Sequence, residues 1–274
     1  MSTHFGIVII GDEILSGKRA DKHLPKIIEL LGSRGLQLAF ADYVGDDPAR
    51  ITATLARAFA GARDSGDVVF SCGGIGATPD DHTRQCAAKA LGVALELHPE
   101  AKLLITERMK DTAIEQGVPF DPDRHDNIHR LNMGVFPVGA EIISNPYNKI
   151  PGFSCKVGTG AVHFVPGFPV MAWPMMEAVL DSQYADLHSQ SAYVEKSIIV
   201  FGSMEATLTP LMLDIELHYP DVKVFSLPSV DHPVYGRHIE LGVKGKPDVV
   251  NIAYPELLAG IGKFDYKTGP ELVR

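Results

Sequence analysis

Cysteine is scarce. Cys72, Cys86 and Cys155 are the only three, they show no CxxC spacing, and they cannot all pair. A secreted scaffold held by disulfides is therefore not expected. Basic residues are also in deficit, with 25 Lys and Arg against 34 Asp and Glu and a formal net charge of -9. Nucleic-acid backbones and anionic membranes both reward the opposite sign, so neither is expected as the main partner. No apolar run approaches the length of a membrane span. The start, Met1-Ser2-Thr3-His4, leads straight into a strand and lacks the basic and apolar regions of a signal peptide. A reduced, cytoplasmic setting is expected. Several motifs are missing too: there is no HExxH among the 11 histidines, no GxSxG, and no P-loop lysine. His125 and His129 stand four apart, but the Gln116–Arg130 stretch is rich in Pro, Asp and His and reads as a surface excursion. No zinc site is expected there.

What is present describes an ordinary globular chain, 274 residues long with 45% hydrophobic and 22% charged residues. That length accommodates a large domain plus a small one. Phe5 to Ile10 is a continuous apolar run, as in a parallel strand covered on both faces. Leu24, Ile27, Ile28 and Leu31 then mark an amphipathic helix stopped near Gly32 to Gly35. A second strand spans Leu36 to Val44. Asp47-Pro48 opens the next helix as N-cap and first helical residue, with Ile51, Leu55, Ala58, Phe59 and Ala62 as its buried stripe. Asp67 to Cys72 is a third strand. Further helices are expected at Pro99 to Thr112 and Pro169 to Leu180, and short strands at Ala140 to Ser144 and Ala161 to Val165. The order predicts a doubly wound, mostly parallel α/β sheet over residues 1–185, with ligands at the C-terminal ends of its strands.

A polar stretch, Gln183 to Ser191, reads as a linker. Beyond it a small α+β domain, residues 192–274, is predicted as β-α-β-β-α. Its first helix is expected over Thr209 to His218, with Thr209 as cap and Pro210 at the first position.

The densest signal is Gly73-Gly74-Ile75-Gly76-Ala77-Thr78-Pro79-Asp80-Asp81-His82-Thr83, between the third strand and a helix carrying Cys86, Ala87, Ala90 and Leu91. Three glycines let backbone N–H groups approach an anion, and the helix N-terminus behind them adds partial positive charge. Asp80 and Asp81 are expected in the first turn of that helix, where acids suit the dipole whatever the function. Gly11-Asp12-Glu13, Gly45-Asp46-Asp47 and Pro166-Gly167 leave other strands on the same edge. Carboxylates facing a phosphate-shaped loop fit a hard cation shared with phosphate oxygens. Cys72, ending a buried strand, reads as packing rather than nucleophile.

Together, Gly11-Asp12-Glu13-Ile14-Leu15-Ser16-Gly17, Val44-Gly45-Asp46-Asp47 and the glycine run resemble the molybdopterin-binding domain of the MoaB/MogA type. The nearest variant is the one that heads CinA-type competence/damage-inducible proteins and certain FAD synthetases. Arg130-Leu131-Asn132-Met133, Pro137-Val138-Gly139-Ala140, Asn145-Pro146, Pro151-Gly152-Phe153 and Pro166-Gly167-Phe168-Pro169 extend the resemblance over about residues 5–180. Residues 190–274 are similar, more weakly, to the small middle domain of CinA-type proteins. The amidohydrolase domain that closes full-length CinA is not expected in this sequence.

The resemblance implies a three-layer α/β/α domain, a homo-oligomer, and a phosphorylated pterin or nucleotide as partner. It implies ligand contacts from Gly73, Gly74, Gly76, Thr78, Thr83, Pro166 and Gly167, and functional carboxylates at Asp46 and Asp81. A divalent cation (Mg²⁺, Mn²⁺ or Co²⁺) would be held by Asp12, Asp46 and Asp81, with molybdopterin as one ligand. The sequence departs from the pattern at Ala77, usually Pro, and at His23, usually Asn, with Asp21 kept. At Met171 the pattern Pro-Gly-Val-Pro-x-Glu-Met has its Glu. Three readings follow: a metal-dependent ADP-ribose pyrophosphatase, a non-catalytic pterin or nucleotide-binding module, and a molybdopterin adenylyltransferase. Met171 favours the second.

Overall fold

Every residue of Phe5–Ile10 (β1) is buried, because helices cover both faces of the strand. Ile7 and Ile9 enter one core, Val8 and Ile10 the other, following the two-residue alternation of a strand. A computed structural model describes residues 3–188 and 194–274. The chain divides into two units, Met1–His188 and Ser189–Arg274.

In the first unit β1 is followed by Asp12–Leu15 (α1), His23–Gly32 (α2), Leu38–Val44 (β2), Pro48–Ser65 (α3), Val68–Cys72 (β3), Thr83–Leu91 (α4) and Leu95–Leu97 (β4). Pro99–Glu115 (α5), His125–Leu131 (α6), Val135–Pro137 (β5), Glu141–Ile143 (β6), Gly152–Val157 (β7), Gly160–Val165 (β8) and Pro169–Gln183 (α7) complete it. The main sheet has the order β2-β1-β3-β8-β7-β6. Its first four strands are parallel, and β7 and β6 run antiparallel. A separate pair joins β4 to β5.

Helices α3, α4 and α5 cover one face through Ile51, Leu55, Phe59, Ala87 and Ile105. Helices α2 and α7 cover the other through Ile27, Leu31, Met175 and Leu180. Each such side chain, fully buried, contributes about 1.5–3 kcal/mol. This is the three-layer α/β/α arrangement expected. Asp47 caps α3 by accepting from the Arg50 N–H at 2.8 Å, with Pro48 in the first helical position.

Several expectations need correction. Ile28 is exposed, and Leu30 takes its place in the buried stripe of α2. Asp80 and Asp81 precede α4 rather than forming its first turn, because the helix begins only at Thr83. Strands β4, β5 and β7 were not foreseen; β7 lies between two others with no helix to separate them. The supposed surface excursion contains the helix α6. The expected linker is helical at its start, since α7 runs to Gln183 and a short 3-10 turn covers Ala185–Leu187. Residues 189–193 of that linker lie outside the described residues.

The second unit is an antiparallel sheet with two helices on one face. Its elements are Val194–Phe201 (β9), Glu205–His218 (α8), Lys223–His232 (β10), Gly236–Gly245 (β11), Pro247–Ile261 (α9) and Thr268–Val273 (β12). The sheet order is β10-β11-β9-β12. Leu208, Ile215, Val250 and Leu257 pack on Val200, Leu241 and Val243. Helix α8 starts four residues before Thr209, whose hydroxyl bonds back to the Glu205 carbonyl at 2.9 Å, so Thr209 is no cap and Pro210 lies inside the helix. The closing strand β12 adds a sixth element to the expected five. Among the described residues no helix is long and apolar enough to cross a membrane.

Candidate functional site

Parallel register brings the ends of β1, β2, β3 and β8 to one edge. Ile10 lies opposite Val44, and Cys72 opposite both Ile9 and Val165. The pairing continues one residue further, with Gly11 N–H donating to the Val44 carbonyl (3.0 Å) and Gly73 N–H to the Val165 carbonyl (3.1 Å). The next residues of each strand therefore have to leave the sheet together, around a pocket of about 400 Å³.

The glycine loop forms one wall. Gly73 (φ +106°) and Gly74 (φ +67°) adopt left-handed backbone that side chains resist. A Cβ on Gly73 would collide with the Ile10 carbonyl, and one on Gly74 with the Thr83 hydroxyl. Thr83 is fully buried behind the loop and donates its hydroxyl to the Gly73 carbonyl at 3.1 Å. Its N–H donates to the Gly74 carbonyl at 3.0 Å. Thr83 thus shapes the loop and does not line the pocket. Gly73, Gly74, Gly76, Thr78, Asp81, Asp46, Pro166 and Gly167 all do.

The carboxylates divide by what they already bind. Asp12 and Asp46 clasp each other: Asp12 N–H donates to the Asp46 carboxylate (2.9 Å), and Asp46 N–H to that of Asp12 (3.2 Å). Asp81 turns back on its own loop, accepting from Thr78 N–H (2.8 Å) and the Thr78 hydroxyl (2.5 Å). Burial pushes the Asp46 carboxyl above its usual range, and the charges of Asp12, Glu13 and Asp80 push the same way. The Asp12 N–H opposes them.

No three His, Cys, Asp or Glu side chains among the described residues could share a metal ion. The three expected carboxylates do not converge in this structure: Asp12 is exposed and outside the pocket lining, and Asp81 accepts from Thr78. The donor chemistry fits a hard cation held by one or two carboxylates, Asp46 first, with phosphate oxygens completing its shell.

Two arginines escaped the sequence reading. Arg19, between α1 and α2, is the one Lys or Arg among the residues lining the pocket. Arg84, on α4, is only 4% exposed. Its guanidinium donates to the Gly76 carbonyl at 2.7 Å and to the Asn132 carbonyl, joining the glycine loop to the segment that carries Met133. Burial lowers its pKa. An arginine on the buried side of a short helix was the available signal.

The rest of the lining is largely apolar: Met133, Ile150, Pro151, Phe168 and Met171 contribute to it, with the amides of Asn145 and Asn148. Asn145 is spent on shaping its turn, donating to the Asn148 side chain and the Ile150 carbonyl, both at 2.8 Å. The Asn148 amide nitrogen faces the Met171 sulfur at 3.6 Å, a weak partner that a ligand acceptor would improve on. His23, at the other departure, bonds the Gly167 carbonyl through Nε2 at 3.1 Å. Asp21 holds that turn by accepting from the N–H groups of His23 (2.8 Å) and Leu24 (3.0 Å).

Comparison with known proteins places this arrangement. The family model described as "Probable molybdopterin binding domain" matches residues 6–185. A protein of Thermoplasma volcanium is 30% identical over 222 residues, 81% of this chain and 79% of that one. A CinA-like protein of Mycobacterium marinum is 31% identical over 225 residues, again 81% of this chain but 52% of its own length. The chain thus spans about half the length of that relative. The solved structure of the protein CinA, of unknown function, from Thermoplasma acidophilum aligns with a TM-score of 0.54 at 27% identity, over 65% of this chain and 98% of the other. The chain is thus similar to CinA-like proteins, and with the glycine loop at the edge of its parallel sheet and a family match across residues 6–185 it belongs to the molybdopterin-binding domain family.

Proposed function

We propose that the pocket binds a phosphorylated pterin or a pyrophosphate-containing nucleotide. One observation carries the reading: the glycine loop, Asp46 and Arg19 line a single pocket whose remaining lining is largely apolar. Phosphate oxygens would accept from N–H groups of Gly74 to Gly76, since that of Gly73 is held by the Val165 carbonyl, and from the Arg19 guanidinium. The heterocycle would lie against Met133, Phe168 and Met171, with the Asn148 amide at its edge. A Mg²⁺, Mn²⁺ or Co²⁺ ion bound by Asp46 and phosphate would offset charge and lower the pKa of an attacking water.

Calorimetry with AMP and ADP-ribose, with and without Mn²⁺, tests the binding. Binding is expected, and Arg19→Ala should weaken it by about 10- to 100-fold, the worth of one charge-assisted hydrogen bond. Gly74→Ala, in a left-handed position against Thr83, should abolish it. No binding of either nucleotide, or unchanged affinity in both variants, would sink the reading.

Hydrolysis of a bound pyrophosphate is a second reading, favoured by Asp46 sharing the pocket with the loop. Water would add to one phosphorus of ADP-ribose and the bridging P–O bond would break, giving AMP and ribose 5-phosphate. Turnover above an Asp46→Ala/Asp81→Ala control supports it. Its absence at saturating ligand and metal leaves a binding module, the outcome that Met171 favours.

A further inference from the structure

Two histidines on α6 lie outside the lining of the glycine-loop pocket. His125 and His129 stand one helical turn apart, both exposed, and their rings meet edge-on with centroids 4.4 Å apart. Their Nε2 atoms are 3.3 Å apart. Two nitrogens each about 2.0–2.1 Å from one ion, at a near-tetrahedral angle, lie roughly 3.3–3.4 Å from each other. The observed spacing is that bite. A hydrogen bond between the rings fits the same distance, with one ring donating and the other accepting.

The helix that presents the pair is held from its other side. Buried Asn127 donates to the Asp121 carbonyl at 2.7 Å and accepts from Arg130 at 2.8 Å. The neighbouring positive charges are offset, since Asp126 pairs with Arg124 (2.5 Å) and with Arg130 (3.3 Å). Asp121 and Asp123 add negative charge to the segment. A dication approaching the imidazoles therefore meets no net positive field. We propose that His125 and His129 form a two-imidazole chelate for a borderline transition-metal dication of the zinc class, its remaining positions filled by water. Imidazole nitrogens select such ions over Mg²⁺, so this site is chemically separate from the carboxylate and phosphate pocket. All three cysteines are buried, so no accessible thiolate competes with the imidazoles.

The test is a titration of the chelator-stripped protein with Zn²⁺, followed by calorimetry and by NMR of the imidazole C–H resonances. Expected are a Zn²⁺ event unaffected by excess Mg²⁺, selective shifts of the His125 and His129 resonances, and at least a ~10-fold weaker affinity in either His125→Gln or His129→Gln, equivalent to about 1.4 kcal/mol. The NMR readout needs no variant, so it stands even if a substitution frays the helix. Absence of Zn²⁺ binding, shifts confined to other histidines, or an unchanged affinity in the double variant would overturn the proposal and leave the ring-to-ring hydrogen bond.

Discussion

Replacing Arg84 with methionine keeps the stem and removes the guanidinium. The wild-type side chain, 4% exposed, supplies donors to the carbonyls of Gly76 and Asn132. A carbonyl deprived of its donor costs about 1–3 kcal/mol where water cannot reach it; Gly76 is half-buried and Asn132 exposed, so water takes over part of the loss and the two together cost roughly 2–3. Part of this is returned. The guanidinium is desolvated, and its Nε has no hydrogen-bond partner among the described residues. A net loss of about 1–2 kcal/mol is expected. The assay is urea unfolding read by tryptophan fluorescence. Trp173 is the sole tryptophan and sits on α7, so it reports the first unit alone. Arg84→Lys should fall between, because an ammonium lacks the planar fork that reaches two separated carbonyls. An Arg84→Met protein within ~0.5 kcal/mol of wild type would refute the reasoning, as would a lysine variant as stable as the arginine.

Asp46 and His163 give two predictions in pH. The Asp46 carboxyl is raised, so the fold favours its protonated form, and its charged form costs stability once the pH passes that raised value. Asp46→Asn, which can still accept from the Asp12 N–H, should therefore raise the melting temperature at pH 7 while losing Mn²⁺-dependent nucleotide binding. The gain should vanish below the ordinary aspartate value of 3.8, and a lower melting temperature at pH 7 would count against it. His163 is fully buried between the Ser154 hydroxyl and the Tyr184 hydroxyl, both at 2.7 Å, and burial lowers its pKa to about 3. A depressed histidine contributes stability above its unfolded value of 6.5 that is lost as pH falls toward about 3. His163→Gln should flatten the stability-versus-pH slope between those limits by about 1.4 kcal/mol per pH unit, measured by urea midpoints; an unchanged slope would show that His163 is not what titrates.

Much of the first unit was legible because its strands and helices carry clean periodicity. Phe5–Ile10 and the stripe of α3 sit where their apolar spacing puts them. What escaped depends on contacts far apart in sequence. Strand β7 has a local signal, Phe153, Cys155 and Val157 alternating between Pro151-Gly152 and Gly158, but its neighbours and antiparallel direction are set by pairing with β8 and β6. Helix α6 looked like a loop because its apolar content is low; it is anchored instead by the polar contacts of Asn127. The glycine loop and Asp46 were readable as an edge site, since each directly follows a strand. The roles within it were less so. Nothing local shows that Asp81 is engaged with Thr78, that Thr83 is buried behind the loop, or that Arg19 reaches the pocket. Met171 departs from the family pattern, and it lines the same pocket as the glycine loop.

The most direct test of the account is a crystal structure of the full chain soaked with ADP-ribose and Mn²⁺. It should show phosphate oxygens about 2.7–3.2 Å from N–H groups of Gly74 to Gly76, with Arg19 turned onto them and the ligand ring against Met133, Phe168 and Met171. Ligand bound elsewhere while this pocket stays empty, under conditions that saturate binding in solution, would contradict it.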